Sequence, residues 1–122
     1  MNRTESLEKI LKDLQGEADI EASALFTEDG LVIASSMPYH LDRDHISALS
    51  AAMLAMAKRT CSELKQGGME QLMLKGEEGY AVIQSAGEFS ALVTITKESA
   101  TLGLVFLRMK QATEQIVKIL ST

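Results

Sequence analysis

The sequence predicts an α/β sandwich, in which a five-stranded antiparallel sheet lies between helices in the order α-β-β-α-β-β-β-α. Five short runs of apolar and β-branched residues, joined mostly by tight turns, are typical of an antiparallel sheet. Three other segments carry apolar residues at helical spacing. The run at residues 69–75 is apolar on both faces, which favours helices on both sides of the sheet.

The first helix is expected over residues 4–15, where four leucine and isoleucine side chains form one stripe: Leu7, Ile10, Leu11 and Leu14. Asn2 and Glu5 have the spacing of a capping box, with Asn in the place of the usual Ser or Thr. The helix is therefore expected to be amphipathic and to pack one face against the core.

A β-hairpin is expected next, with strands over residues 20–27 and 31–36. Its turn contains Gly30, which adopts the positive φ of a tight turn at no steric cost. Alternation places Ile20 and Phe26 on one face of the first strand and Leu25 on the other, which is only partly apolar. Pro38 ends the second strand, because proline cannot donate to a ladder.

A long helix is expected over residues 43–66, with Asp42 as its N-cap and Gly67-Gly68 at its end. The predicted core-facing stripe consists of Ile46, Leu49, Met53, Ala57, Thr60 and Leu64. Three strands follow over residues 69–75, 80–85 and 89–97, and a last helix over 101–120. No linker or repeat divides the chain, so residues 1–122 are expected to form one domain.

Composition excludes several classes of function. The 17 acidic and 12 basic side chains leave a formal net charge of −5, which argues against a nucleic-acid partner. The N-terminus lacks the apolar core of a signal peptide, and no apolar run is long enough to span a membrane. Cys61 is the only cysteine, so an internal disulfide is impossible. A cytoplasmic location is expected.

The sequence offers one cluster of metal-ligand residue types, at positions 40–45: His40, Asp42, Asp44 and His45. Acidic residues at a helix start are more simply explained by capping and by the helix dipole. A small-ligand or metal-sensing loop remains the alternative hypothesis. Cys61 is expected to be a buried structural thiol.

The sequence carries no sign of an enzyme. Neither Gly67-Gly68 nor the turn at residues 76–79 opens a helix after a strand, as a phosphate-binding loop must. We therefore expect no catalytic activity, no nucleotide binding and no cofactor, and we look for the function on a surface.

The long helix carries the best candidate for that surface. Four alanines are expected to gather on the side away from the core, and two cations border them: Ala48, Ala51, Ala52, Ala55, Lys58 and Arg59. Small side chains allow another backbone to approach closely, so this face is predicted to contact a partner.

The order of elements, the segment DGLVIAS and the terminal segment ITKESATLGLVFLRMKQATEQI together resemble the Roadblock / dynein light-chain domain family. The resemblance implies a profilin-like sandwich that dimerises by edge-to-edge pairing of the strand at 69–75 and side-by-side packing of the helix at 43–66. The implied dimer contacts are Leu49, Met56, Met69, Leu72, Met73 and Leu74. Family members commonly bind Ras-like small GTPases, so the resemblance implies a homodimeric GTPase regulator or scaffold.

Overall fold

The computed structural model describes residues 1–121 and confirms the predicted order of elements. The helices are α1 (Arg3–Leu14), α2 (Arg43–Glu63) and α3 (Leu102–Leu120). The strands are β1 (Ile20–Thr27), β2 (Val32–Ser36), β3 (Gln71–Gly76), β4 (Gly79–Ser85) and β5 (Ser90–Thr96).

The five strands form one antiparallel sheet in the order β2-β1-β5-β4-β3. The β1–β2 and β3–β4–β5 segments are local hairpins, and the long-range pairing of β1 with β5 joins them. As a result, β2 and β3 are the two edges of the sheet.

Helices cover both faces of the sheet, as predicted. On one face, α1 and α3 pack against a core that includes Leu11, Leu25, Leu92 and Met109. On the other face, α2 packs on a smaller core that consists of Phe26, Leu54, Ile83, Val93 and three alanines. The core on the α2 side therefore contains fewer buried residues than the core beneath α1 and α3.

Side-chain caps begin the first two helices at the predicted residues. The Glu5 backbone N–H donates to Asn2 Oδ1 over 2.8 Å, and the Asp44 N–H donates to Asp42 Oδ1 over 3.0 Å. Each bond satisfies a donor that the helix itself leaves without a partner.

Two expectations about strand and helix ends were wrong. α2 ends at Glu63, three residues before the predicted end, and Lys65 then adopts a left-handed φ of 58°. β3 begins at Gln71, because Met69 lies before the strand and packs on the α2 side of the sheet.

The two faces of β1 also differ from the prediction. A register shift between Ile20 and Ala22 places Ile20 in the α1/α3 core, away from Phe26. The face of Leu25 was expected to be only partly apolar, yet Leu25 and Ser23 are both buried on it. The Ser23 hydroxyl donates to the Leu11 carbonyl of α1 over 3.5 Å, which gives this buried polar group a partner.

Candidate functional site

The predicted core-facing stripe of α2 is wrong in part. Ile46 and Met53 pack against the core as expected, whereas the other large apolar members, Leu49 and Leu64, are exposed. The buried residues of the helix are Ser47, Ser50, Ala51 and Leu54. Leu49 was expected in the core stripe but is 52% exposed. Met56 is 61% exposed. The helix therefore presents small and polar residues to its own sheet and holds several of its larger apolar residues outside.

The turn between β1 and β2 explains this orientation of α2. Gly30 has a φ of 86°, and a Cβ built on it would lie 3.1 Å from the Ala48 Cα and 3.4 Å from the Ala51 Cβ. Only small residues allow so close an approach, so the small residues of α2 face the hairpin turn. The sequence did contain this signal, since Ser47, Ser50 and Ala51 have helical spacing.

The structure divides the predicted partner surface. Ala51 is 8% exposed and belongs to the core, so its assignment to that surface was wrong. The other three alanines, Ala48, Ala52 and Ala55, are exposed. The flanking cations make ion pairs: Lys58 Nζ lies 2.8 Å from Glu28 Oε1, and Arg59 Nε lies 3.3 Å from Glu63 Oε1.

Between α2 and β3 lies an open apolar groove of about 560 Å³. Its walls are Met53, Met56, Ala57, Cys61, Met69, Leu72 and Leu74, with Ala52, Thr60 and Gln71 at the margins. We call this the α2–β3 groove. Cys61 is half-buried in it, so the expectation of a core thiol was wrong.

The edge strand β3 forms the other wall of the groove and is mostly exposed. Leu72 pairs with Ile83 of the α2-side core, whereas Met73 pairs with Val82 of the α1/α3 core. Leu72 and Leu74 therefore face the groove and Met73 the opposite side. Met73 and Leu74 are 40% and 44% exposed, so the expected cover over both faces of this strand is absent from the described chain.

The structure thus brings together four of the six residues that the resemblance implied as dimer contacts. Met56, Met69, Leu72 and Leu74 line one groove, and Leu49 lies exposed on the helix that forms its wall. Met53, Ala57 and Cys61 also line the groove, although they were expected in the core stripe of α2 or, for Cys61, as a buried thiol.

The loop at residues 40–45 does not form a cluster of metal ligands. Within residues 1–121, no group of three or more His, Cys, Asp or Glu side chains converges as a metal site would require. The Asp42 carboxylate accepts the backbone N–H groups of Asp44 and His45 instead, and the Tyr39 ring lies edge-on to His40 at 6.0 Å. The loop geometry therefore corresponds to a helix cap.

A second cleft, of about 710 Å³, lies at the far side of the sheet between the start of α1, the end of α3 and the β4–β5 turn. Phe89 borders it and is 71% exposed, while Arg3 crosses it to donate to the Leu120 carbonyl over 3.0 Å. This cleft has a more polar margin than the α2–β3 groove.

Among the described residues, none of the helices combines the length and the apolar character that a membrane crossing needs.

The chain is similar to known proteins both in sequence and in fold. The family model for the Roadblock/LC7 domain matches residues 6–96. A Methanocaldococcus jannaschii protein, MJ1340, is 36% identical over 110 residues, which are 90% of this chain and 96% of the relative.

Two solved structures share the fold. MglB of Myxococcus xanthus superposes with a TM-score of 0.91 at 20% identity, over 99% of this chain and 92% of its own. A Roadblock/LC7 domain of Streptomyces avermitilis superposes with a TM-score of 0.87 at 18% identity, over 94% of this chain and 98% of its own. The sandwich described above is therefore the fold of these proteins.

Proposed function

Because the chain belongs to the Roadblock/LC7 domain family, we propose that it is a non-enzymatic homodimeric regulator or scaffold that binds a Ras-like small GTPase. The observation that carries this proposal is the α2–β3 groove together with the unpaired edge of β3. These features form one continuous apolar surface, which a lone copy leaves in contact with water.

The two edges of the sheet support dimerisation through β3 rather than β2. β2 has five residues, is followed by Pro38, and its residues are half-buried or buried beneath α1 and α2. β3 has six residues, no proline and an exposed outer side. A free, flat, apolar strand edge can pair with another strand. The β3 strand of a second copy would supply partners for its unpaired backbone N–H and C=O groups.

The GTPase is proposed to bind the exposed side of α2, beside the groove. Ala48 lies toward the hairpin turn, about 80° around the helix from Met56, and Ala52 lies at the margin of the groove. With Ala52 and Ala55 it forms a shallow exposed platform, and Lys58 and Arg59 provide charge at its end. Such a surface suits a close-packed contact, because the core of an interface approaches the packing of a protein interior.

The proposal is tested by a pulldown with a purified Ras-like small GTPase from the same organism, loaded with GDP or with a non-hydrolysable GTP analogue. We expect the wild-type dimer to capture it. Ala55→Glu is expected to weaken binding by about 3 kcal/mol, or roughly a hundredfold in Kd, because it buries an unpaired charge.

Gln111→Glu, an exposed position on α3, adds the same charge on the opposite face and serves as the matched control. Light scattering and thermal melts establish that each variant is a folded dimer. Failure of the wild type to bind any nucleotide state contradicts the GTPase proposal. Full binding by a folded Ala55→Glu dimer contradicts the placement of the partner on this platform.

A further inference from the structure

We propose that two copies of the chain pair through β3 in one antiparallel register, in which Met73 lies directly opposite Met73 of the second copy. The inference rests on the proposed homodimer and specifies its geometry. Three features of β3 carry it: the direction of its free hydrogen-bonding groups, its strand length, and the side chains that each register would oppose.

The hairpin of β3 and β4 determines which residues of β3 have free backbone groups. Glu77 and Glu78 form a two-residue turn, so Gly76 and Gly79 close it as a hydrogen-bonded pair. Pairs then alternate along the ladder. Leu72 and Leu74 direct their N–H and C=O groups toward β4, whereas Gln71, Met73 and Lys75 direct theirs toward the open edge.

A hydrogen bond of the neighbouring strand agrees with this assignment. Tyr80 stands opposite Lys75, and its N–H donates away from β3, to Thr96 Oγ1 on β5 over 3.2 Å. The Lys75–Tyr80 pair is therefore a non-hydrogen-bonded pair, and the backbone groups of Lys75 point outward.

Symmetry then limits the possible registers. Residues that stand opposite each other in an antiparallel pair point to the same face of the sheet. In a two-fold dimer, each residue must therefore pair with one that faces the same side. Only registers centred on Leu72, Met73 or Leu74 meet this condition and keep most of Gln71–Gly76 in the ladder.

The Met73-centred register uses the backbone most fully. It pairs Met73 with its copy and Gln71 with Lys75 in both directions, which gives about six inter-strand hydrogen bonds and occupies every outward group of the strand. The registers centred on Leu72 and Leu74 give about four within the strand.

The opposed side chains favour the same register. Centred on Met73, the dimer places Leu72 opposite Leu74 of the second copy, on the side of the α2–β3 groove. Centred on Leu74, it places Glu70 opposite Glu78, two like charges in line. Centred on Leu72, it places Leu74 opposite Glu70. The Met73-centred register extends the apolar floor of one groove into that of the other through two Leu72–Leu74 pairs, without placing a carboxylate opposite Leu74 or opposite another carboxylate.

Single-cysteine variants test the register. We use Met73→Cys, Leu72→Cys and Leu74→Cys in a Cys61→Ser background, with Gln111→Cys on α3 as the control for random collision. Each is oxidised at micromolar concentration, and the covalent dimer is followed on a non-reducing gel. Light scattering first measures the mass of each reduced protein.

Met73→Cys is expected to cross-link at least about tenfold faster than the other variants, because its two Cα atoms lie about 5.5 Å apart, within disulfide range. The copies of residue 72, or of residue 74, lie about 8 Å apart in this register, beyond that range. Fastest cross-linking of Leu72→Cys or Leu74→Cys overturns the register in favour of the other two.

The remaining outcomes separate the register from the proposed homodimer. A reduced protein with the mass of a dimer, in which no β3 variant cross-links faster than Gln111→Cys, overturns pairing through β3 while homodimerisation stands. A reduced protein with the mass of a monomer overturns both.

Discussion

Replacing Gly30 by alanine tests whether the β1–β2 turn determines the position of α2. The added Cβ would lie 3.1 Å from the Ala48 Cα, which is tighter than ordinary van der Waals contact and which involves the backbone of a regular helix. Helix backbone cannot rotate away as a side chain can, so the contact is relieved only by moving α2 or the turn. We expect Gly30→Ala to displace α2 outward.

The expected loss in the free energy of unfolding of Gly30→Ala has two parts. A left-handed φ costs alanine roughly 1–2 kcal/mol, and overpacking a well-packed contact costs about 1–3 kcal/mol. Gly87→Ala isolates the first part, because Gly87 has a φ of 90° and nothing lies within 4 Å of its added Cβ. The change in unfolded-chain entropy is common to both variants and cancels.

The assay is a pair of thermal and urea melts on the two variants. We expect Gly30→Ala to be less stable than Gly87→Ala by about 1–3 kcal/mol, which corresponds to roughly 3–10 °C in Tm for a chain of this size. Hydrogen exchange in α2 should rise in Gly30→Ala alone. Equal melts and equal exchange would refute the reasoning that close contact with the turn holds the helix.

Two further predictions concern the helices. Asn2→Ala removes the side-chain acceptor of the Glu5 N–H and should lower the free energy of unfolding by about 1 kcal/mol in urea melts, whereas Asn2→Asp should retain the cap; equal losses in both variants would contradict a capping role. Leu54→Ala empties a buried site of the α2 core and should cost about 2–5 kcal/mol. Leu49→Ala, at an exposed position of the same helix, should lower the free energy of unfolding much less when it is measured at concentrations that favour monomer. An equal loss in both variants would indicate that Leu49 belongs to the core.

Part of the fold could be predicted because it depends on local chemistry. The Asn2 and Asp42 caps act within a few residues, and the bounds of β1 follow from a run of apolar residues that ends in a turn. The end of α2 could not be placed at the glycines, since Lys65 leaves the helical region before them.

The sequence singled out several residues of the candidate site but not their arrangement. Leu72 and Leu74 stood out for their apolar character, and the exposure of Leu74 follows from the position of β3 at the edge of the sheet. Strand order arises from the long-range pairing of β1 with β5, which no local pattern encodes. The family resemblance implied that the strand at 69–75 pairs edge to edge, but only the folded chain shows that β3 is a free edge of the sheet.

By itself, the sequence determined the element order, the capped helix starts and the resemblance to the Roadblock family, because these depend on periodicity and short-range bonding. Only the tertiary structure decided which face of α2 is buried. Helical periodicity offered two stripes, a larger apolar one and a smaller one with Ser47 and Ala51. The close approach of Gly30 admits only the smaller stripe at the hairpin turn, so shape complementarity outweighed hydrophobicity there and left Leu49 and Met56 on the surface.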